Sequence, residues 1–190
     1  MDVEVMASGE ADARAAEAVE HHHARMAGAL ALQAERLAAR ARAGREDAAA
    51  QTRDELVRWC HTELLPHALA EEGTLYRSAA RRDEGRLLVA AMTAEHEAIR
   101  HHVDALASAG GAVDAAVAAG ALRAVFDTHL AKENHQVLPL LVAAPDVSVA
   151  ALLGGLHELV GGSDSPPTPL ATAATSAKVD PSATTLGGES

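Results

Sequence analysis

The chain reads as an all-α protein: an up-down-up-down four-helix bundle with a short extra C-terminal helix and a disordered tail. Three observations carry this. Four long stretches repeat apolar residues at three- and four-residue intervals, separated by Gly-rich or charged turns. Apolar residues make up 48% of the 190, mostly Ala, Leu and Val with only 2% aromatic, which favours helix over sheet. No β-rich run competes, and short turns between long helices make consecutive helices antiparallel.

The first helix is expected over residues 11–43, with Val19, Met26, Leu30 and Leu37 on one face, and Gly44 ends it. The second runs from about Glu46 to Arg81 and buries Leu56, Trp59, Cys60, Leu64, Leu75 and Tyr76. Pro66 lies inside it and should bend it, because proline removes a backbone donor. The third spans about Glu84 to Ala109, with Leu88, Met92, Ile99, Val103 and Leu106 inward, and Gly110-Gly111 stops it. Asp114 is the expected N-cap of the fourth, which carries Leu122, Val125, Phe126, Leu130, Val137 and Leu138 and has Pro139 near its end. A fifth, shorter helix, Val149 to Val160, docks on the bundle. Beyond it the composition turns to Gly, Ser, Thr, Pro and Ala, which bury too little to offset ordering entropy. The expected division is a bundle over 11–145, an accessory helix over 146–161 and a disordered tail over 162–190.

The bulk numbers exclude several roles. A net charge of -11 argues against a nucleic-acid partner. No run of about 18 apolar residues is present to span a membrane, and the acidic start MDVEVMASGE has no apolar core of a signal peptide. The single Cys60 permits no intrachain disulfide and suits a reducing compartment, so a cytoplasmic protein is expected.

Two stretches nearly repeat each other. His67-Ala-Leu-Ala-Glu71 is followed by Leu75-Tyr76, and His129-Leu-Ala-Lys-Glu133 by Val137-Leu138. On a helix each His and Glu lie one turn apart on one face. Imidazole with carboxylate is a ligand set for iron and, less distinctively, for zinc or manganese. Among 11 His and 27 acidic residues, chance alone gives one or two such pairs, so position must decide. In an up-down bundle, residues equidistant from a turn share a height, at about 1.5 Å per residue. His23 lies 21 residues before Gly44 and His67 lies 23 after it. Glu71 lies 12 before Asp83 and His96 lies 13 after it; His96 lies 13 before Ala109 and His129 lies 15 after Asp114. His23, His67, Glu71, His96 and His129 therefore share a layer, with Glu133 one turn beyond His129. His23 and His96 both lie within apolar stripes. Six such groups need a common partner, because burial without one is costly. They are too many for one tetrahedral zinc. Two irons, with the Glu side chains and a solvent oxygen bridging, use the set well and leave positions for O2, peroxide or NO.

Within His21-His22-His23 only one residue can face inward at this height. The face favours His23, three before Met26, over His22, three before Arg25. His61, His135 and His157 are read as surface residues, His101 and His102 as surface residues or at most outer partners, Glu72 as exposed or an outer partner, Tyr76 as core packing ahead of lining the pocket, and Cys60 as an inert core thiol.

Over residues 15 to 142 the sequence resembles the hemerythrin-like proteins with an HHE cation-binding domain. The resemblance rests on His-Ala-Arg-Met at His23, Leu-Leu-Pro-His-x-x-x-Glu-Glu at Leu64 to Glu72, Glu95-His96, and His-x-x-x-Glu ending in Leu-Pro-Leu-Leu at His129 to Leu141. It implies a non-haem di-iron centre held by His23, His67, Glu71, His96, His129 and Glu133. Oxygen-carrying members have a His four after the third-helix His and an Asp five after the last; here these are Arg100 and Asn134. The pattern fits the bacterial branch, for which the resemblance implies oxygen, peroxide or NO sensing, iron handling and peroxide breakdown. Two other classes compete. A ferritin-like iron protein needs Glu-x-x-His on two helices, and only Glu20-x-x-His23 is present. A non-catalytic interaction module would use the C-terminal helix or the tail to reach a protein partner.

Overall fold

The computed structural model describes the backbone of residues 3–160 and the side chains of residues 9–154. Among these residues there are helices and turns and no strand. Helix α1 (Val3–Arg42) starts earlier than expected. The lead-in Val-Glu-Val-Met-Ala-Ser-Gly-Glu places Glu4 in the first turn, where its charge favours the helix dipole, and Gly9 costs only about 1 kcal/mol, which does not stop a helix. The end at Gly44 has a clear cause. Its φ of 63° is left-handed, Gly44 N–H bonds Ala41 O at 3.0 Å and Arg45 N–H bonds Arg40 O at 3.0 Å. This pair of bonds is a Schellman motif, which satisfies carbonyls that the helix end would orphan.

The chain returns through α2 (Glu46–Trp59) and α3 (Leu65–Gly73), joined by a π-helical turn, Cys60–Leu64. The bend expected at Pro66 thus takes the form of a widened turn just before it. Leu65 N–H reaches back five residues to Cys60 O. A proline would clash with the carbonyl four back in a regular helix, and the wider turn keeps the axis continuous. The expected run to Arg81 breaks at Thr74, with φ -123° and ψ -82°. Thr74 Oγ1 donates to Ala70 O at 2.7 Å, and α4 (Leu75–Ala79) begins immediately beyond.

Helix α5 (Asp83–Ala107) runs back up. Helix α6 (Ala112–Lys132) descends and continues through a second π-helical turn, Glu133–Val137, into α7 (Leu138–Val142). This turn also directly precedes a Leu-Pro pair, and Leu138 N–H bonds Glu133 O. Asp114 is not the cap of α6. Gly111 is the N-cap residue, and Glu46 Oε2 accepts from Ala112 N–H at 3.0 Å, so a carboxylate from α2 does the capping across the bundle.

Helix α1 packs along α2 and α6, and α5 along the same two, giving the up-down-up-down bundle. Helix α8 (Val149–Val160) lies against α1 and α3. The buried Asp12 accepts hydrogen bonds from Ser148 Oγ (2.9 Å) and Ala150 N–H (3.0 Å), which pins the start of α8 to α1. The tail expected over 162–190 lies outside the described residues. Among the described residues no helix is long and apolar enough to cross a membrane.

Buried apolar residues form two clusters. One gathers Leu30, Leu37, Leu56, Ile99, Val103, Leu122 and Phe126. The other gathers Val19, Leu75, Tyr76, Met92, Val137, Leu138 and Val149. Along α1 and α5, His23 and His96 interrupt the stripe between these clusters, after Val19 and Met92 and before Met26 and Ile99. Trp59, Leu88 and Val125, expected inward, are only partly buried.

Candidate metal centre

The polar layer between the two apolar clusters holds His23, His67, Glu71, His96, His129 and Glu133, each no more than 7% exposed. The helix directions bring all six sequence-predicted residues together. His23 comes from α1, His67 and Glu71 from α3, His96 from α5, His129 from α6, and Glu133 opens the second π-helical turn. His23 is the inward member of its triplet; His22 is half-buried, its ring 5.0 Å from that of His67. His61, His101 and His135 are exposed. The side chain of His157 lies outside the described residues.

The layer divides into two halves around one carboxylate. Ligating atoms of His23, His67 and Glu71 lie within 4.8 Å of one another, as do those of Glu71, His96 and His129. Glu71 Oε1 lies 2.7 Å from His67 Nε2 and 3.2 Å from His23 Nε2, while Oε2 lies 3.6 Å from His96 Nε2. Glu133 spans the same gap: its Oε2 is 3.7 Å from both His23 Nε2 and His129 Nε2.

A second set of residues fixes the imidazoles from outside. His96 Nδ1 bonds Glu72 Oε1 at 2.8 Å, His129 Nδ1 bonds Glu95 Oε2 at 3.2 Å, and His23 Nδ1 bonds Asn134 Oδ1 at 2.6 Å. Each acceptor requires the proton on Nδ1, which leaves the Nε2 lone pair facing the centre. Two of these carboxylates meet a surface cation. Arg100 Nη1 is 3.5 Å from Glu72 Oε1, and Lys132 pairs with Glu95. Glu95, Lys132 and the positioning role of Asn134 were not legible in the sequence, since each partner comes from another helix. Glu72 is 26% exposed and serves as an outer partner, one of its two expected roles.

Tyr76 also reaches the layer. Its ring stacks on His96 at 5.3 Å and 15°, and its Oη lies 3.3 Å from His129 Nε2 and 3.5 Å from His96 Nε2. Core packing, the favoured expectation for this residue, describes the ring, while the hydroxyl lines the layer, the other role expected for it.

Electrostatics separate the two carboxylates. Burial pushes Glu133 well above the usual carboxyl range, reinforced by the charge of Glu71. Burial acts on Glu71 in the same sense, but the adjacent His67 and polar contacts with His23 and His96 overcome it and hold Glu71 well below that range. Burial and the neighbouring His96 lower His129 to about 4. Burial works against charge on His67 too, yet Glu71 raises its pKa. Burial raises the Cys60 thiol to about 12, as an inert core thiol requires.

The donors fit metal ions. His67 Nε2, Glu71 Oε2 and both carboxylate oxygens of Glu133 are buried without a hydrogen bond. His96 Nε2 and His129 Nε2 face each other at 3.1 Å, two lone pairs in contact once their Nδ1 atoms carry the protons. Cations relieve both problems together. A ferritin-like arrangement has no support at this layer, because Glu20 is exposed. No curated protein and no solved structure gave a significant match to the chain. A family model, described as the hemerythrin HHE cation-binding domain, matches residues 14–141. That span is more than half of the chain and contains every member of the buried layer, and the chain belongs to the hemerythrin HHE cation-binding domain family.

Proposed function

We propose that the chain is a non-haem di-iron protein that binds or reacts with O2, peroxide or NO. The observation that carries this is the division of the layer. His23 with His67 and His96 with His129 form two imidazole pairs, and Glu71 presents a different oxygen to each. One shared carboxylate between two imidazole pairs suits two ions, and Glu133, 3.7 Å from one imidazole of each pair, would serve both. All six donors are nitrogen or oxygen, a set suited to iron, and they exceed what one tetrahedral ion takes.

Iron would supply the redox chemistry toward O2, peroxide or NO. The chain's own residues supply the rest. Glu72, Glu95 and Asn134 hold three imidazoles in the tautomer that points Nε2 inward. The apolar clusters above and below keep bulk water from the layer, strengthening every charge interaction in it.

The reading is tested by loading the purified chain anaerobically with Fe(II), counting bound iron, and recording spectra as O2, peroxide or NO is added. About two irons per chain with new near-ultraviolet and visible bands is the expected result. Persistence of the bands marks binding and their decay marks turnover. No bound iron overturns the proposal.

A further inference from the structure

We propose that the two halves of the layer bind iron unequally: the His96–His129 half fills first, and the His23–His67 half holds a second, more readily lost ion. This order rests on the di-iron reading above and is set by residues outside the six donors. The donors themselves are balanced. Each half has two imidazoles, Glu71 belongs to both, and Glu133 Oε2 lies 3.7 Å from one imidazole of each. The halves differ in what stands behind the rings.

His96 Nδ1 and His129 Nδ1 both donate to carboxylates, Glu72 at 2.8 Å and Glu95 at 3.2 Å. His23 Nδ1 donates instead to the amide oxygen of Asn134 at 2.6 Å. His67 is the fourth imidazole, and among the described residues no acceptor stands behind its Nδ1. A carboxylate draws the Nδ1 proton and raises the basicity of the opposite nitrogen, and an outer partner of this kind is worth about 10- to 100-fold in metal affinity. An amide orients the ring without adding negative charge. Arg100 and Lys132 lie against the two carboxylates, but they are the more exposed members of those pairs and water screens them, while the carboxylates touch the rings directly. Exposure follows the same order. His67 is 7% exposed and the other five donors no more than 2%. The half with the weaker support is also the half that water reaches, where a departing ion is most easily rehydrated.

Two equal halves would also fill in two steps, because the first ion repels the second. Glu95→Gln separates the accounts, since it keeps an acceptor behind His129 and removes its charge. With unequal halves it weakens the first step, whose site it serves. With equal halves the first ion simply takes the untouched half, and the second step weakens. The full metal-free chain is titrated anaerobically with Fe(II), with free Fe(II) set by a chelator of known affinity. The expected result is two irons in two steps, the first weakened roughly 10-fold in Glu95→Gln and equally in Glu72→Gln, with the second unchanged. Asn134→Ala removes the acceptor behind His23 and should weaken the second step alone. Two irons bound in a single step, or a second step that weakens in the Glu95 and Glu72 variants while the first holds, overturns the order of filling and leaves the di-iron reading standing. Absence of bound iron overturns both. If one carboxylate variant does not fold, the other still decides.

Discussion

Glu72 Oε1 accepts a hydrogen bond from His96 Nδ1 at 2.8 Å, and the same oxygen lies 3.5 Å from Arg100 Nη1. Across the layer His129, Glu95 and Lys132 repeat the arrangement on different helices. In each case a carboxylate turns an imidazole toward the centre, and a surface cation lies against that carboxylate. Arg100, a departure from the oxygen carriers, thus acts one step behind His96. Glu72→Ala and Glu95→Ala should each weaken metal binding roughly 10- to 100-fold, the usual cost of losing such a partner. Arg100→Ala should cost less, since its pair is partly solvated and screened. Competition with a chelator of known affinity measures all three.

Glu133 should trade stability for metal. It is 0% exposed and neither of its carboxylate oxygens has a hydrogen bond. Replacement with an apolar residue of similar size removes buried unsatisfied atoms. Glu133→Met should stabilise the metal-free protein by about 1–3 kcal/mol while abolishing the stabilisation that metal confers. His67→Ala should also lose the metal-dependent gain, and the exposed His101→Ala should behave as wild type. Urea unfolding with and without metal separates these outcomes; a metal-free Glu133→Met less stable than wild type contradicts the argument.

The metal-free protein should weaken in acid before ordinary carboxylates titrate. His129 is lowered from 6.5 to about 4, by burial and then by His96. Below pH 6.5 the unfolded chain takes up a proton that the folded one refuses, so stability present above 6.5 is lost as pH falls toward 4. The shift sets the loss at about 3 kcal/mol. Glu133 has the opposite sign. Its raised pKa contributes stability at low pH that is lost as pH rises through the elevated value. Metal requires neutral imidazole and ionised carboxylate, so loading should remove the alkaline loss and steepen the acid one. Urea midpoints across pH, with and without metal, test both limbs.

The layer was legible because its residues obey two periodicities at once. His23 and His96 sit in apolar stripes that repeat along their own helices, and distances from Gly44 and Asp83 give the height of His67 and Glu71. What the sequence left dark crosses between helices. Glu95 serves a histidine 34 residues away, and Glu46 caps α6 from 66 residues away; neither separation has a local signature. Tyr76 was only partly legible, for a different reason. An apolar face at helical spacing accounts for its ring, while the hydroxyl's destination depends on the break at Thr74, directly after Gly73, inside what the periodicity reads as one run to Arg81.

That break makes the junction after α4 a sensitive point, and Gly85 is where it is fixed. A Cβ on Gly85 would lie 2.1 Å from Ala79 O and 2.8 Å from Ala79 C, both backbone atoms, and 3.1 Å from Leu140 Cδ2. Backbone cannot move aside as a flexible side chain would, so Gly85→Ala must push α5 away from the end of α4. Helix propensity alone would favour Ala in the first turn of α5 by up to about 1 kcal/mol. The overpacking cost of about 1–3 kcal/mol opposes and exceeds it. The variant should therefore unfold at a lower temperature despite the better helix former. Since α4 carries Tyr76, three residues before Ala79, the displacement should also reach the buried layer and weaken metal binding. Calorimetry on the metal-free protein gives the first effect and chelator competition the second. An unchanged or higher unfolding temperature would show that the approach of α4 to α5 is looser than 2.1 Å implies.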